Sequence, residues 1–307
     1  MSSSGVNQVQ VAIELRHVHE LFGGRLAPMI DYVRAADRKG IDQVVIADHV
    51  VIHNDAPPRY PLAAFPPYDY PWYDPVSILS GVATVTERIR LSMGILISPL
   101  RPAVLLAKQL ATLDALSGGR LDAGFGAGWQ QEEFEASGIP FDKRFTRMEE
   151  QVYACRALWK GGPASYHGTT LSFDSLHCHP RPAQEHIPVW LGLTPSPGAF
   201  ARMVRCADGW IRPEPDPARL ATDVKTLRGL LADAGRDPAR FTVRAQVTHV
   251  LDANGKPDIP ATLARSGDYL AAGADILEYY PGRLCRSASE LEPLLDSIME
   301  VKRALSR

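Results

Sequence analysis

DPVSILSGVATVTERIRLSMGILISPLRPAVLLAKQLATLDALSGGRLDAGF, residues 74–125, carries two helix–strand repeats in succession. Asp74-Pro75 has the make-up of a helix start, a carboxylate at the N-cap and a proline where its missing N–H costs nothing. That helix is expected to run to about Thr86. Ile89 to Ile97 reads as a strand. Pro102 to Leu116 reads as a helix stopped by Gly118-Gly119, and Arg120 to Phe125 as the next strand. Short apolar strands separated by helix-length segments imply crossover connections, and crossovers make neighbouring strands parallel.

The same rhythm extends both ways. Upstream, Val9 to Leu15 is the expected first strand. Ala27 to Lys39 is an amphipathic helix ended by Gly40, and Gln43 to Ala47 is a second strand running into Asp48 and His49. Downstream, Thr146 to Trp159 is a helix ended by Gly161-Gly162-Pro163, and Val189 to Leu193 is strand five. Gly198 to Cys206 is a helix and Gly209 to Ile211 strand six. Asp216-Pro217 caps a helix reaching Ala232, and Phe241 to Val250 is strand seven. Ile259 to Ala272 is a helix, Asp275 to Tyr279 strand eight and Ser287 to Leu305 the closing helix. Eight strands, each followed by a helix, make the expected class α/β: a (β/α)8 TIM barrel with insertions after strand two and between strands four and five. The 307 residues suit a barrel of ~250 residues with additions. No composition shift divides the chain, so 1–307 is expected to be one domain. The competing open sheet announces a GxGxxG turn after strand one. The Gly23-Gly24 pair within Arg16 to Arg25 does not fit it.

Two stretches break the rhythm. Residues 51–73 contain Pro57-Pro58 and Pro66-Pro67, with Tyr60, Phe65, Tyr68, Tyr70, Trp72 and Tyr73. Loops this long are functional or disordered, and the aromatics argue against disorder. Residues 163–187 are expected to be a second irregular insertion.

Composition excludes some classes of function. A net charge of −2 provides no basic field to recruit nucleic acid or an anionic membrane. Met1 to Gln10 is polar and lacks the pattern of a signal peptide, and no apolar run approaches the ~20 residues that cross a bilayer. Cys155, Cys178, Cys206 and Cys285 show no CxxC spacing and read as reduced thiols, with Cys155 in the core. The expectation is a soluble cytoplasmic protein acting on a small molecule. His177-Cys178-His179 lies too close along the chain to converge on one ion, so no metal is expected. His17, His19, His53, His167 and His186 read as exposed loop residues. The GxSxG and HExxH signatures are missing.

In a barrel, chemistry sits at the C-terminal ends of the strands. Those ends carry Glu14; Asp48 and His49; Ile97-Ser98-Pro99; Gly126-Ala127-Gly128-Trp129; Thr194-Pro195-Ser196; Arg212 and Glu214; His249; and Tyr279-Tyr280. A strand-end histidine exchanges a proton or a hydrogen bond, and a nearby carboxylate fixes its tautomer. Asp48 and His49 are adjacent, however, so their side chains point to opposite sides. Either they act together, or Asp48 caps a neighbouring segment and His49 lines the mouth. Gly124 to Gly128 is either an anion-binding nest or a tightly packed turn. Glu132 and Glu133 read as a solvated first turn of a helix rather than as acid/base groups.

The run from Arg120 through Gly124-Phe-Gly-Ala-Gly-Trp-Gln-Gln-Glu-Glu-Phe to Gly138-Ile139-Pro140-Phe141 resembles the bacterial luciferase-like monooxygenase family, most closely its F420-dependent oxidoreductase branch. Ala47-Asp48-His49, Ile97 to Pro102, Leu116 to Arg120 and Ala207 to Trp210 extend the match. The resemblance implies hydride transfer between F420 and a small organic substrate. The alternatives are an FMN-dependent monooxygenase and a non-catalytic flavin-binding barrel. It also implies a homodimer, a non-prolyl cis peptide within Gly94-Ile95-Leu96, and His49 beside the cofactor ring with Asp48 as its neighbour. Cofactor contacts are implied at Gly94, Ile95, Leu96, Ile97 and Ser98, at the amides of Gly126, Ala127, Gly128 and Trp129, and at a phosphate grip of Gly192, Leu193 and Thr194. Two departures stand out. Trp129 occupies the place of the glutamate proton donor of the sugar-phosphate dehydrogenases, and Leu193, Pro195 and Pro197 interrupt the usual strand-five loop.

Overall fold

A computed structural model describes residues 9–60, 65–212 and 216–306, so the expectations for the first eight residues and for Glu214 lie outside the described residues. The eight expected strands are present in chain order: β1 (Gln10–Glu14), β2 (Gln43–Ile46), β3 in two pieces (Arg90–Met93 and Leu96–Ile97), β4 (Leu121–Gly126), β5 (Val189–Leu191), β6 (Gly209–Arg212), β7 (Thr242–Gln246) and β8 (Ile276–Tyr279). Helices separate them, the alternation of a (β/α)8 barrel. The chain divides into two compact units, one of residues 1–45, 85–91 and 210–307, the other of residues 46–84 and 92–209.

In the first unit β1 lies parallel to β2 and to β8, and β8 lies parallel to β7, with Ile13 opposite Val44 and Val11 and Ala245 both opposite Leu277. Val11, Ala12 and Ile13 are fully buried, as strands covered on both faces must be. The helices Leu26–Lys39, Pro217–Asp233 and Leu291–Leu305 belong to this unit. Gly40 closes the first of them at φ 94°, donating its N–H to Ala36 and Asp37 carbonyls. The Asp216 side chain caps the second. A charged layer lies among the buried side chains. Arg244 donates to Gln43 at 2.6 Å and pairs with Glu278 at 2.7 Å. Arg16 donates to the Tyr280 hydroxyl at 2.5 Å and lies 3.4 Å from Glu14. Burial drives the Glu14 carboxyl up to about 7; the Arg16 charge opposes the rise and the Glu278 charge adds to it.

In the second unit β4 runs parallel to the second piece of β3, with Leu96 opposite Phe125, and to β5, with Ala123 opposite Val189. Its longer helices are Pro75–Ala83, Ala103–Leu116, Arg144–Trp159 and Pro197–Cys206. Asp74 caps the first, accepting the Ser77 N–H at 2.8 Å, and Ser196 caps the last.

Four local expectations change. The 163–187 insertion contains an antiparallel hairpin, Ala164–His167 with Ser172–Leu176. Strand seven stops at Gln246; Val250–Leu251 instead pairs with Pro257–Asp258, and Thr262 Oγ1 takes the Val250 N–H. The helix after it splits at Arg265 into Ile259–Ala264 and Ser266–Ala271, the second opening on the weak helix formers Ser266 and Gly267. His19 is buried within the 3-10 turn Val18–Phe22 rather than exposed. The four cysteines are free and buried. Among the described residues no helix is long and apolar enough to cross a membrane.

Candidate active site

Asp48, His49 and the residues expected to touch the cofactor lie in the second unit, where β2, β3, β4 and β5 end, whereas Glu14, Arg212, His249, Tyr279 and Tyr280 lie in the first. Ile46 at the end of β2 accepts the Gly94 N–H at 2.8 Å, and the chain then presents Asp48 and His49 in succession. Their side chains diverge. The Asp48 Oδ2 accepts the Ile97 N–H at 2.9 Å and an Arg101 N–H at 2.7 Å, while its Oδ1 accepts from Arg101 at 3.1 Å. Arg101 also reaches Asp74 at 3.0 Å. Asp48 thus clamps the second piece of β3 and the guanidinium together, the bidentate geometry that arginine favours. Its carboxylate is turned to Arg101 and not to His49.

The carboxylate that meets His49 is Glu133. His49 Nδ1 lies 3.0 Å from Glu133 Oε2, and Glu133 Oε1 accepts the Val50 N–H at 2.6 Å. Glu133 is fully buried, so the expected solvated first turn is corrected at this residue, while Glu132 beside it stays partly exposed. The short helix Gln131–Ala136 turns this residue inward, where the N–H groups of Val50 and Val51 face its Oε1. Gln130 accepts the His53 N–H and donates to the Val51 carbonyl, both at 2.7 Å, and Arg59 pairs with Glu132 at 2.8 Å. Residues 130–133 therefore stitch down the start of the proline- and tyrosine-rich insertion.

Aromatic rings enclose His49. Trp72, Phe65 and Trp129 lie 4.7, 5.2 and 6.0 Å from its ring centroid, all edge-on. Phe65 stacks on Trp72, and Tyr60 packs against Trp129. The imidazole is buried in a largely apolar wall, which strengthens any hydrogen bond it makes.

Between the two pieces of β3 the Gly94–Ile95 peptide is cis, as the resemblance implied. The Ile95 side chain lies between Gly126 and Gly192. A Cβ on either glycine would stand 2.3 Å from it. Gly128 has φ 74°, and a Cβ there would meet Phe134 at 2.7 Å. These glycines are required by packing, the tight-turn reading of the glycine-rich run. Leu96, Ile97, Ala127 and Leu193 are buried, and Thr194 is exposed. Among the described residues, the buried polar atoms without a hydrogen-bond partner include the Trp129 indole N–H and the Ser98 hydroxyl. A buried polar group without a partner is costly unless a ligand or water completes it. Glu133, Arg101 and Gln130 escaped sequence reasoning, since their partners lie 84, 53 and 77 residues away along the chain.

The family model for luciferase-like monooxygenases matches residues 9–256. The chain belongs to the luciferase-like monooxygenase family. An uncharacterised protein of Mycobacterium tuberculosis is 37% identical over 179 residues, which cover 58% of this chain and 63% of the relative, so the match spans less than two thirds of that relative's length. The FMNH2-dependent dimethylsulfone monooxygenase of Pseudomonas putida is 35% identical over 119 residues, covering 38% of this chain and 32% of that protein. The structure of an F420-dependent secondary alcohol dehydrogenase in complex with an F420-acetone adduct superposes with a TM-score of 0.78 at 15% identity, covering 96% of this chain and 99% of that one. That likeness shows the fold, a (β/α)8 barrel, as the strand count predicted.

Proposed function

We propose that this luciferase-like protein is an oxidoreductase that transfers a hydride between F420 and a small organic substrate. The observation that carries this reading is the pair of buried, unpartnered polar groups, Trp129 Nε1 and Ser98 Oγ, just past the ends of β4 and β3, with the Trp129 ring 6.0 Å from that of the buried His49. They fit a planar heterocycle with polar edges, which would give each group a partner. Trp129, Ser98 and the backbone of Gly94 and Ile95 would hold the ring system. The ordered, glycine-lined seat of Ile95 keeps that backbone fixed. When bound, the deazaflavin supplies the hydride chemistry. His49 exchanges a proton or a hydrogen bond with the reacting partner, and Phe65, Trp72 and Trp129 keep water from it. Asp48 acts through Arg101 to fix the β3 segment and holds no proton for the reaction. With a tryptophan at position 129, the chain lacks the glutamate donor of the sugar-phosphate dehydrogenases.

The dimethylsulfone monooxygenase relative favours FMN as the second reading. Absorbance and fluorescence of the small molecules released when the purified protein is denatured separate the two. The proposal expects the deazaflavin spectrum, and a flavin spectrum would replace it with the FMN reading.

A further inference from the structure

We infer that Glu133 is the positioning residue that fixes the tautomer of His49, making Nε2 the ring nitrogen that gains and loses the proton. The inference rests on the reading of His49 as the proton-exchanging group and deepens it.

The argument begins with donors and acceptors. An ionised carboxylate only accepts hydrogen bonds, whereas a protonated one donates from one oxygen. Glu133 Oε1 faces the Val50 N–H at 2.6 Å and the Val51 N–H at 3.4 Å. Two backbone N–H donors meet on this one oxygen, the geometry of a carboxylate that accepts on both of its oxygens. The other oxygen, Oε2, is then an acceptor too, and the atom 3.0 Å from it is His49 Nδ1. Nδ1 must carry its hydrogen, and the neutral imidazole is left bare at Nε2. Protonation of the ring adds its proton at Nε2 and leaves the Glu133 bond in place.

The surroundings make this choice rigid. Val50 and Val51 immediately follow His49, so one carboxylate binds both the ring and the backbone that carries it. Gln130, three residues before Glu133, binds the Val51 carbonyl and the His53 N–H. The ring has no freedom to turn over without breaking that set. Asp48, the adjacent acid, is committed to Arg101 and Ile97 and does not compete.

The test reads the tautomer directly in cofactor-free protein. Solid-state 15N spectra of histidine-labelled protein, taken above the pH range of histidine titration, distinguish a protonated from a bare ring nitrogen. Subtracting the spectrum of the His49→Gln variant isolates His49 from the other eight histidines. The wild type is expected to show His49 protonated at Nδ1 and bare at Nε2. In Glu133→Gln the two backbone N–H groups retain the amide oxygen, so the amide NH2 faces Nδ1 and donates to it. The tautomer is expected to invert. A bare Nδ1 in the wild type, or an unchanged tautomer in folded Glu133→Gln, overturns the assignment. The wild-type spectrum decides alone if the variant does not fold. Failure of the protein to bind F420 or FMN would remove the functional reading and leave the tautomer result standing.

Discussion

At the scale of single residues, Gly126 and Gly192 have no room for a side chain because Ile95 occupies the space between them. Alanine at either position forces Ile95 out of its seat, and overpacking of this kind costs about 1–3 kcal/mol. Thermal melts of Gly126→Ala and Gly192→Ala should therefore fall below wild type, and Ile95→Ala should relieve both. Equal destabilisation in the Ile95→Ala background would show that the clash is not the cause. His49→Ala should lower turnover of the folded enzyme by about 100-fold or more, the usual worth of a positioned acid or base. Unchanged kinetics would remove His49 from the chemistry. The sequence made His49 legible because strand ends are where barrels place chemistry. It did not make Glu133 legible, since an acid in the first turn of a helix is ordinarily solvated. Only the fold of the insertion start brings Val50 and Val51 to it.

At the scale of elements, the helix starts were the most readable features. Asp74-Pro75 and Asp216-Pro217 cap as their composition predicts. Asp74→Ala removes both the cap and an Arg101 partner, with an expected loss of about 1–2 kcal/mol in denaturant unfolding. The 164–176 hairpin was not readable. Its strands are short, exposed and rich in serine, and its turn is held from outside by Glu150. That carboxylate accepts from the amides and hydroxyls of Thr169 and Thr170. Burial alone would raise it, but these hydrogen bonds outweigh burial and hold it at about 2. A carboxyl lower in the folded state than in the unfolded chain stabilises the fold above the unfolded value, near 4.5, and loses that contribution as pH falls toward 2. Glu150→Gln should therefore flatten part of the decline in melting temperature between about pH 5 and pH 3. An unchanged acid limb would show that Glu150 does not contribute to it.

At the scale of the whole molecule, the alternation of strands and helices carried the fold, because a barrel repeats one local pattern eight times. The cofactor was not legible in that pattern, which is shared by barrels of every chemistry. Stability across pH is also a property of the whole chain, and Glu14 governs one part of it. Its carboxyl sits at about 7 in the fold, so between about pH 4.5 and 7 the unfolded chain is ionised there while the folded one is protonated. Stability should fall as pH rises through that window, by up to ~3 kcal/mol for this group. Glu14→Gln should remove that slope in unfolding measurements, and a slope equal to wild type would contradict it. The measurement that bears most directly on the central claim is an equilibrium titration of cofactor-free protein with F420 and, in parallel, with FMN, followed by fluorescence. The account predicts saturable binding of F420, tighter than that of FMN; tighter binding of FMN, or binding of neither, would contradict it.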